Sequence, residues 1–343
     1  MAQINKPSDY FNTKLYTGTG AEQSITGVGF QPDWVWTKSR TSAYNHNSYD
    51  SVRGANKTLY QDLANAEYVG TQGVKSFDSD GFTVGTDVAV NQLSANLVAW
   101  NWLAGGTASS NSDGSITSNV SANTTSGFSI VSYTGTGSLA TVGHGLGVTP
   151  KMIIVKTRGS AGDWSVYHSS LGNTKNLKLN TNAAEQTSIN YWNNTSPTSS
   201  VFTVNDEGNV NGSSVAMIAY CFAEKKGFSK FGTYTGNAST NGPFIYTGFK
   251  PAWVMWKRTD AAGNDWDIYD TARDTYNLAF KELIANASSA ESSSTVLALD
   301  ILSNGFKLKT SNANGNASGG TYIYMAFAEN PLVTTGKVPA TAR

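Results

Sequence analysis

Apolar residues occur along the chain in runs of about five to eight, separated by clusters of Gly, Asn, Asp and Ser. Runs such as MIIVKT and AWVMWK are rich in β-branched and aromatic residues and are short enough to be strands buried on both faces. The sequences DSDGF and SNGF, which end at Phe82 and Phe306, are typical of turns that enter a strand, because glycine adopts positive φ easily. The pattern predicts an all-β protein of antiparallel strands.

The pattern occurs three times along the chain. Each copy opens with YTGT or YTGN, continues to a Pro that is followed six residues later by a Lys, and closes with an apolar run. The opening tyrosines are Tyr16, Tyr133 and Tyr234, the Pro and Lys pairs are Pro32 and Lys38, Pro150 and Lys156, and Pro251 and Lys257, and the closing runs are LVAWNWLA, AMIAYCFAE and YIYMAFAE. Landmarks that keep this order predict one ancestral unit of about 90–100 residues that was copied twice.

This spacing predicts three tandem antiparallel β-sandwich domains of roughly seven to ten strands each. Their predicted bounds are 1–104, 127–226 and 227–331, with a C-terminal tail at 332–343. Residues 105–126 are rich in Gly, Ser, Asn and Thr, and are predicted to be an ordered polar connector or a flexible linker. The sequence thus predicts separate domains joined in a row, with a rigid junction between the second and the third.

Two segments also fit a short helix on propensity: KTLYQDLANAE in the first copy and NLAFKELIANA in the third. The corresponding NLKLNTNAAE of the second copy alternates apolar and polar residues as a strand does. Because three copies of one fold should agree, we interpret all three segments as strands.

The composition disfavours several classes of partner. The 24 Lys and Arg residues balance the 24 Asp and Glu residues, whereas a binder of nucleic-acid phosphates is normally basic. The N-terminus lacks the pattern of a signal peptide, and no stretch reaches 18 uninterrupted apolar residues. We therefore expect no nucleic acid partner, no secretion signal and no insertion into a membrane.

Signatures of catalysis and of metal binding are weak. The histidines His46, His144 and His168 form no metal-binding motif, and no GxSxG elbow occurs. The single Cys221 lies in an apolar run and is interpreted as a buried, inert thiol. The glycine-rich loop at 143–147 lacks the lysine and the helix that hold a phosphate. We predict no catalytic residues, no cofactor and no metal site.

The first and third copies share a Tyr-Asp-x-x-Arg motif, which the second copy breaks with His168 and Leu171. In a structural interpretation, the Asp and the Arg close a turn through a charge-assisted hydrogen bond. In a functional interpretation, the motif forms a ligand patch, since aromatic faces and planar donors suit the pyranose rings of sugars. The candidate patch comprises Trp266, Tyr269, Asp270 and Arg273 in the third copy and Tyr49, Asp50 and Arg53 in the first.

Tryptophans stand out in the strands that follow the repeated prolines. Trp34 and Trp36 are two residues apart and lie on one face of a strand, and Trp253 and Trp256 belong to the corresponding run of the third copy. We interpret these side chains as core residues rather than as a platform for a ligand. The loops, rich in Asn, Ser and Thr, suit either a glycan contact or a merely soluble surface.

Two stretches carry a resemblance to a known family. The first reads GSITSNVSANTTSGFSIVSYTGTG and TVGHGLGVTPKMIIVK, and the second comprises YTGNASTNGPFIYTGFKPAWVMWKRTD, ILSNGFKL and GGTYIYMAFAENP. They resemble modules of tail-fibre-like and other virion structural proteins of bacteriophages, especially marine ones. The resemblance extends from Tyr10 to Pro331. It implies three jelly-roll or concanavalin-like β-sandwich domains, a non-enzymatic role, and a place in the virion after assembly in the host cytoplasm.

The resemblance leaves three functions open. A tail-fibre-type appendage recognises the host surface or a glycan and is expected to be a homo-oligomer, with a trimer favoured, although no collagen-like or heptad shaft is present. A capsid decoration, head-fibre or connecting protein binds other virion proteins and stabilises the particle. A polysaccharide-degrading enzyme needs a pair of carboxylates inside an aromatic cleft.

Overall fold

The computed structural model describes residues 2–341, and these are built mainly from antiparallel strands. After a 3-10 turn at Pro7–Asp9, the first repeat contains β1 (Phe11–Thr17), β2 (Gln23–Thr26), β3 (Trp34–Ser39), β4 (Asn47–Asp50), β5 (Lys57–Tyr60), β6 (Tyr68–Val69), β7 (Val74–Asp78), β8 (Gly81–Val84), α1 (Val88–Asn91) and β9 (Asn96–Trp102).

The second repeat contains β10 (Ser109–Asn111), β11 (Ser118–Asn123), β12 (Phe128–Thr134), β13 (Ala140–Gly143), β14 (Met152–Thr157), β15 (Ser165–His168), β16 (Lys175–Lys178), β17 (Gln186–Thr187), α2 (Ile189–Trp192), β18 (Val201–Val204), α3 (Gly208–Asn211) and β19 (Ala216–Phe222). The third contains β20 (Ser229–Thr235), β21 (Phe244–Tyr246), β22 (Phe249–Arg258), β23 (Trp266–Asp270), β24 (Leu283–Ile284), β25 (Leu299–Leu302), β26 (Gly305–Leu308), α4 (Ala313–Asn316) and β27 (Thr321–Pro331).

Each repeat contributes one large antiparallel sheet with the same arrangement at its centre. The strand orders are β1-β9-β3-β4-β5-β6, β10-β11-β12-β19-β14-β15-β16-β17 and β20-β27-β22-β23-β24. In every copy the closing strand lies between the opening strand and the strand that follows or, in the third copy, contains the repeated proline. The repeat in the sequence is therefore also a repeat of topology.

The inner faces of the three large sheets pack together in one apolar cluster, here called the shared core. It contains Trp34 and Trp36 from the first repeat, Tyr220 from the second, and Trp253 from the third. Because side chains alternate across a strand, Val35 lies between the two tryptophans but packs on the outer side of its sheet. The prediction that these tryptophans are core residues is confirmed.

The outer face of each large sheet is covered by a small sheet, which gives every repeat a sandwich-like cross-section. The small sheets are β2-β8-β7, β13-β18 and β21-β26-β25. Each encloses its own cluster of apolar side chains, with Phe82, Phe202 and Phe306 at equivalent positions. Trp256 lies in the outer cluster of the third repeat, on the face of β22 opposite to Trp253.

The all-β class is confirmed, but the predicted count of three separate domains is not. An independent domain encloses its own core. Here each repeat encloses an outer cluster of its own, but the inner face of its large sheet packs in the shared core, which draws side chains from all three repeats. The chain therefore does not form the expected row of separate domains.

The segment 105–126, predicted to be a connector or linker, contains strands β10 and β11. Strand β11 pairs with β12 along the edge of the second large sheet, and β10 pairs with β11. Ile116 and Val120 are buried in the outer cluster of the second repeat. This polar segment is thus ordered and forms part of the second sandwich.

The segments with ambiguous propensity form strands at Lys57–Tyr60, Lys175–Lys178 and Leu283–Ile284, as predicted. The α-helices of residues 2–341 are single turns of four residues. None of the helices in this range is long and apolar enough to cross a membrane.

Candidate functional site

The seven residues of the predicted ligand patch lie inside the protein. Trp266, Tyr269, Asp270 and Arg273, and likewise Tyr49, Asp50 and Arg53, are each at most 3% exposed. They belong to β4, β23 and the turns that follow these strands. The structure therefore does not present them as a surface on which a sugar ring rests.

The Asp and the Arg of each motif close a turn, as the structural interpretation proposes. Arg53 donates from its backbone N–H to Asp50 Oδ1 at 2.8 Å and from Nε to Asp50 Oδ2 at 2.5 Å. The rest of the guanidinium donates to the carbonyls of Ser48 and Lys57. Arg273 makes the same set of contacts around Asp270.

The motif of the first repeat also joins that repeat to the second. The Tyr220 hydroxyl donates to Asp50 Oδ2 at 2.7 Å, and Glu67 accepts from both Arg53 and Arg158. Burial alone would raise the pKa of Glu67, but the bonds from Arg158 and the charge of Arg53 hold it below its ordinary value. The carboxylate is therefore ionised at neutral pH and bridges two repeats.

An equivalent junction links the third repeat to the first. Glu291 accepts from Arg273 and from Arg40. Trp100 donates from Nε1 to Asp270 Oδ2 at 3.0 Å, and the Arg273 guanidinium lies 5.8 Å from the centre of the Trp100 ring.

The junction between the second repeat and the third has a backbone hydrogen bond like those of the other two junctions, but it lacks their salt bridge between a Glu and an Arg. The Glu185 N–H donates to the Thr259 carbonyl at 2.8 Å, as Glu67 and Glu291 do to the corresponding carbonyls of Arg158 and Arg40. Four aligned positions differ together: His168 replaces Asp, Leu171 replaces Arg, Thr259 replaces the partner Arg, and Met325 replaces Tyr220 and Trp100. The three junctions nevertheless close a ring in which each repeat contacts the next.

His168 fits this uncharged junction. Its Nε2 lies 3.3 Å from the carbonyl oxygen of Tyr324 in the third repeat. Burial lowers the pKa of the imidazole to about 4. The ring is therefore neutral at physiological pH and carries its hydrogen bond without a counter-ion.

Two of the three repeated lysines contact the neighbouring repeat at these junctions. Burial lowers the pKa of Lys38, Lys156 and Lys257 to about 8 in each case. Lys38 donates from Nζ to the carbonyl of Ser288 in the third repeat, and Lys156 to that of Ala64 in the first. The ammonium groups of Lys38 and Lys156 thus cap carbonyls of the neighbouring repeat, whereas that of Lys257 donates to the carbonyl of Arg258 in its own repeat.

The opening YTG marker locks a loop onto a single-turn helix. Tyr16 donates from its hydroxyl to the Val90 carbonyl at 2.8 Å, and the Asn91 side chain accepts from the Thr19 N–H. A side chain at Gly18 would collide with the carbonyl of Gln92. The tyrosine, the glycine and the buried asparagine make the same contacts in the other two repeats.

A pair of carboxyl groups lies within the third repeat. Asp267 on β23 is fully buried, and burial together with the neighbouring Glu282 raises its pKa well above the ordinary value. Burial also raises the pKa of Glu282. The aligned residues Asn47 and Ser165 are uncharged. Burial thus favours the protonated, uncharged form of both carboxyl groups.

Within residues 2–341, no group of three or more His, Cys, Asp or Glu side chains is arranged to hold a metal ion. Cys221 is buried in the outer cluster of the second repeat, and burial raises the pKa of its thiol. The His144 ring accepts from the Leu146 N–H and lies near the Thr198 carbonyl.

The small sheet of the third repeat carries an exposed aromatic surface that the sequence did not predict as a site. Phe244 and Tyr246 on β21 are 45% and 57% exposed, and Ile245 between them is buried. Aligning the repeats would have revealed this surface in the sequence, because the residues of β2 that match Phe244 and Tyr246 are the small and polar Ser24 and Thr26.

The model of one protein family, described as a domain of unknown function (DUF7483), matches residues 6–331. No curated protein and no solved structure matches the chain.

Proposed function

The chain belongs to the DUF7483 family, and we propose that it is a bacteriophage virion structural protein, a tail-fibre-type appendage that takes part in recognition of the host surface or of a glycan. The observation that carries the proposal is the ring of three repeats around one shared core. Glu67 and Glu291, which the buried arginines of the two motifs contact, join neighbouring repeats through Arg158 and Arg40. A body of this kind suits a rigid carrier of surface contacts, and the proposed role is non-enzymatic and needs no cofactor.

The resemblance of Tyr10–Pro331 to phage virion modules supports the same assignment. The proposal adds other virion proteins as partners, a host glycan as a further ligand, and a homotrimer as the favoured assembly. It places the chain in the virion, after assembly in the host cytoplasm.

A capsid decoration, head-fibre or connecting protein is the second candidate. It is favoured by one observation: the three repeats already close a ring within a single chain, so that one copy supplies a three-part body without other subunits.

Immunogold electron microscopy tests the proposal on the particles whose genome encodes the chain, with antibody raised against the purified protein. We expect label on the virion, at the tail for an appendage and over the head for a decoration. Particles that carry no label, while the antibody detects the protein in the same lysate, would overturn the proposal.

The native mass at micromolar and at nanomolar concentration separates the two candidates. A trimer that persists at nanomolar concentration supports the appendage. A monomer at both concentrations supports the decoration protein, which takes its geometry from the particle.

A further inference from the structure

The outward face of the small sheet in the third repeat carries two aromatic rings in alternate positions of one strand. Phe244 and Tyr246 are both exposed and lie about 6.5–7 Å apart along β21. Gly305 is the partner of Tyr246 in β26 and adds no side chain beside the ring, while Phe244 pairs with Lys307. We call these two rings the aromatic platform.

The equivalent face of the first repeat carries polar residues instead of aromatic ones. Its aligned residues Ser24 and Thr26 are exposed and polar. The hydroxyl oxygens of Ser24 and Thr83 lie 2.9 Å apart, and Thr83 donates to Asp78 at 2.7 Å. The fold therefore accepts small polar residues at these positions.

In the second repeat the same face is covered by the chain itself. The N–H of Ser115 donates to the hydroxyl of Thr141, the residue aligned with Phe244, and Ile116 bridges to Val142. Gly143, aligned with Tyr246, leaves room for the side chain of Asn111, with which a Cβ would collide. Of the three aligned faces, only that of the third repeat combines aromatic side chains with exposure.

The surroundings of the platform are partly apolar, at 331–333, and partly polar. Tyr246 lines two neighbouring clefts of about 130 and 270 Å³, the larger of which also contains Glu224, Lys226 and Thr247. Asp300 on β25 lies opposite Lys307 of β26 in the strand register. Flat ring faces within reach of hydroxyl, ammonium and carboxylate groups suit a ligand that has an apolar face and a polar rim.

We propose that the aromatic platform binds a glycan, with sugar rings resting on Phe244 and Tyr246 and their hydroxyls bonded to the polar rim. The C–H face of a pyranose packs on the electron-rich face of an aromatic ring. At about 150–250 Å² per aromatic side chain, two half-exposed rings offer far less than the roughly 800 Å² per partner of a stable protein interface. This inference rests on the proposed recognition role, and identifies the surface that performs it.

The test uses the full chain and the variant Phe244→Ser/Tyr246→Thr, which installs the residues of the first repeat. The probes are a glycan array of bacterial surface oligosaccharides and then calorimetric titration with the array's strongest binder. We expect wild-type protein to bind, and the double variant to bind at least about tenfold more weakly with an unchanged melting temperature.

Two control variants separate ring stacking from other effects. Tyr68→Thr removes a tyrosine of matched exposure, 56%, from the edge strand β6 of the first repeat, and should leave binding unchanged. Phe244→Tyr/Tyr246→Phe keeps both rings and should retain binding within about threefold.

Undiminished binding by Phe244→Ser/Tyr246→Thr would overturn the inference and leave the recognition role standing, since another surface would then bind the glycan. Wild-type protein that binds no array glycan would also overturn it. If that protein still labels the virion, and the double variant loses virion proteins that the wild type retains, the surface is a protein contact. Absence of both glycan binding and virion label would remove the proposed function together with the inference.

Discussion

At the scale of the residue, the buried charges of this protein connect repeats. Asp50 and Arg53 satisfy each other within one turn, and their remaining polar atoms contact Glu67 and Tyr220. A buried charge needs a partner because the interior solvates it poorly. The sequence showed the Asp and Arg spacing that closes the turn, but Glu67 and Tyr220 are 14 and 170 residues away from their partners and no local pattern connects them.

Replacing Arg273 alone should strongly destabilise the protein. Arg273→Leu removes the guanidinium and leaves the buried Asp270 with two neutral donors, Trp100 Nε1 and the backbone N–H of residue 273, and loss of one partner from a buried pair costs about 3–5 kcal/mol. Urea denaturation measures the change in the free energy of unfolding.

Adding Asp270→His to Arg273→Leu recreates the uncharged combination of His168 and Leu171 and should recover part of the loss. A double variant no more stable than Arg273→Leu would show that the uncharged junction depends on its other replaced residues.

Asp267 should make stability fall as the pH rises. Its pKa is raised in the folded protein, mainly by burial, so the folded state holds a proton that the unfolded state releases above about pH 4. Asp267→Asn installs the residue of the first repeat and should raise the free energy of unfolding at pH 8 by about 1–3 kcal/mol.

The gain from Asp267→Asn should shrink as the pH is lowered to 4, because the unfolded state of the wild type then also binds the proton about half of the time. Thermal melts between pH 4 and pH 8 give the comparison, with the exposed Asp206→Asn as the control. A gain of the same size at every pH would be inconsistent with a proton held on Asp267.

At the scale of the element, alternation along the strands decides which core a side chain joins. In β14, Met152 and Ile154 enter the shared core, while Ile153 and Val155 enter the outer cluster. Continuous apolar runs therefore predicted strands buried on both faces. The polar strands β10 and β11 escaped prediction because Ser and Asn at a sheet edge give no apolar alternation.

Deletion of Ser109–Thr124 should destabilise the second repeat, since it removes β10 and β11 and uncovers the edge of β12. It also removes Ile116 and Val120 from the outer cluster. We expect the melting temperature to drop by more than about 5 °C, measured by circular dichroism.

Asn119→Ala, at an exposed position of β11, is the control and should melt as the wild type does. A deletion variant with an unchanged melting temperature would return the segment to the role of a linker.

At the scale of the whole molecule, the shared core couples the three repeats into one cooperative unit. Trp253 of the third repeat contacts Trp100 and Trp102 of the first, and Trp34 stacks on Tyr220 of the second at 4.5 Å. No repeat unfolds without exposing the inner faces of its neighbours.

Calorimetry should therefore show a single transition whose calorimetric and van't Hoff enthalpies agree. Trp253→Ala should cost about 3–5 kcal/mol and move this transition as a whole, whereas the exposed Tyr276→Ala should leave it in place. Separate transitions for the repeats would contradict a shared core.

The sequence by itself determined the strands, their threefold repetition and the burial of the tryptophans, because alternation and spacing are local properties of the chain. It left open whether the three copies stand apart or also share a core, since that depends on where the inner face of each large sheet packs. Only the tertiary structure decided that these faces meet, which buries the Tyr-Asp-x-x-Arg motifs and removes them from the surface. It also decided which of the three equivalent outer faces stay uncovered, because the chain folds back over that of the second repeat.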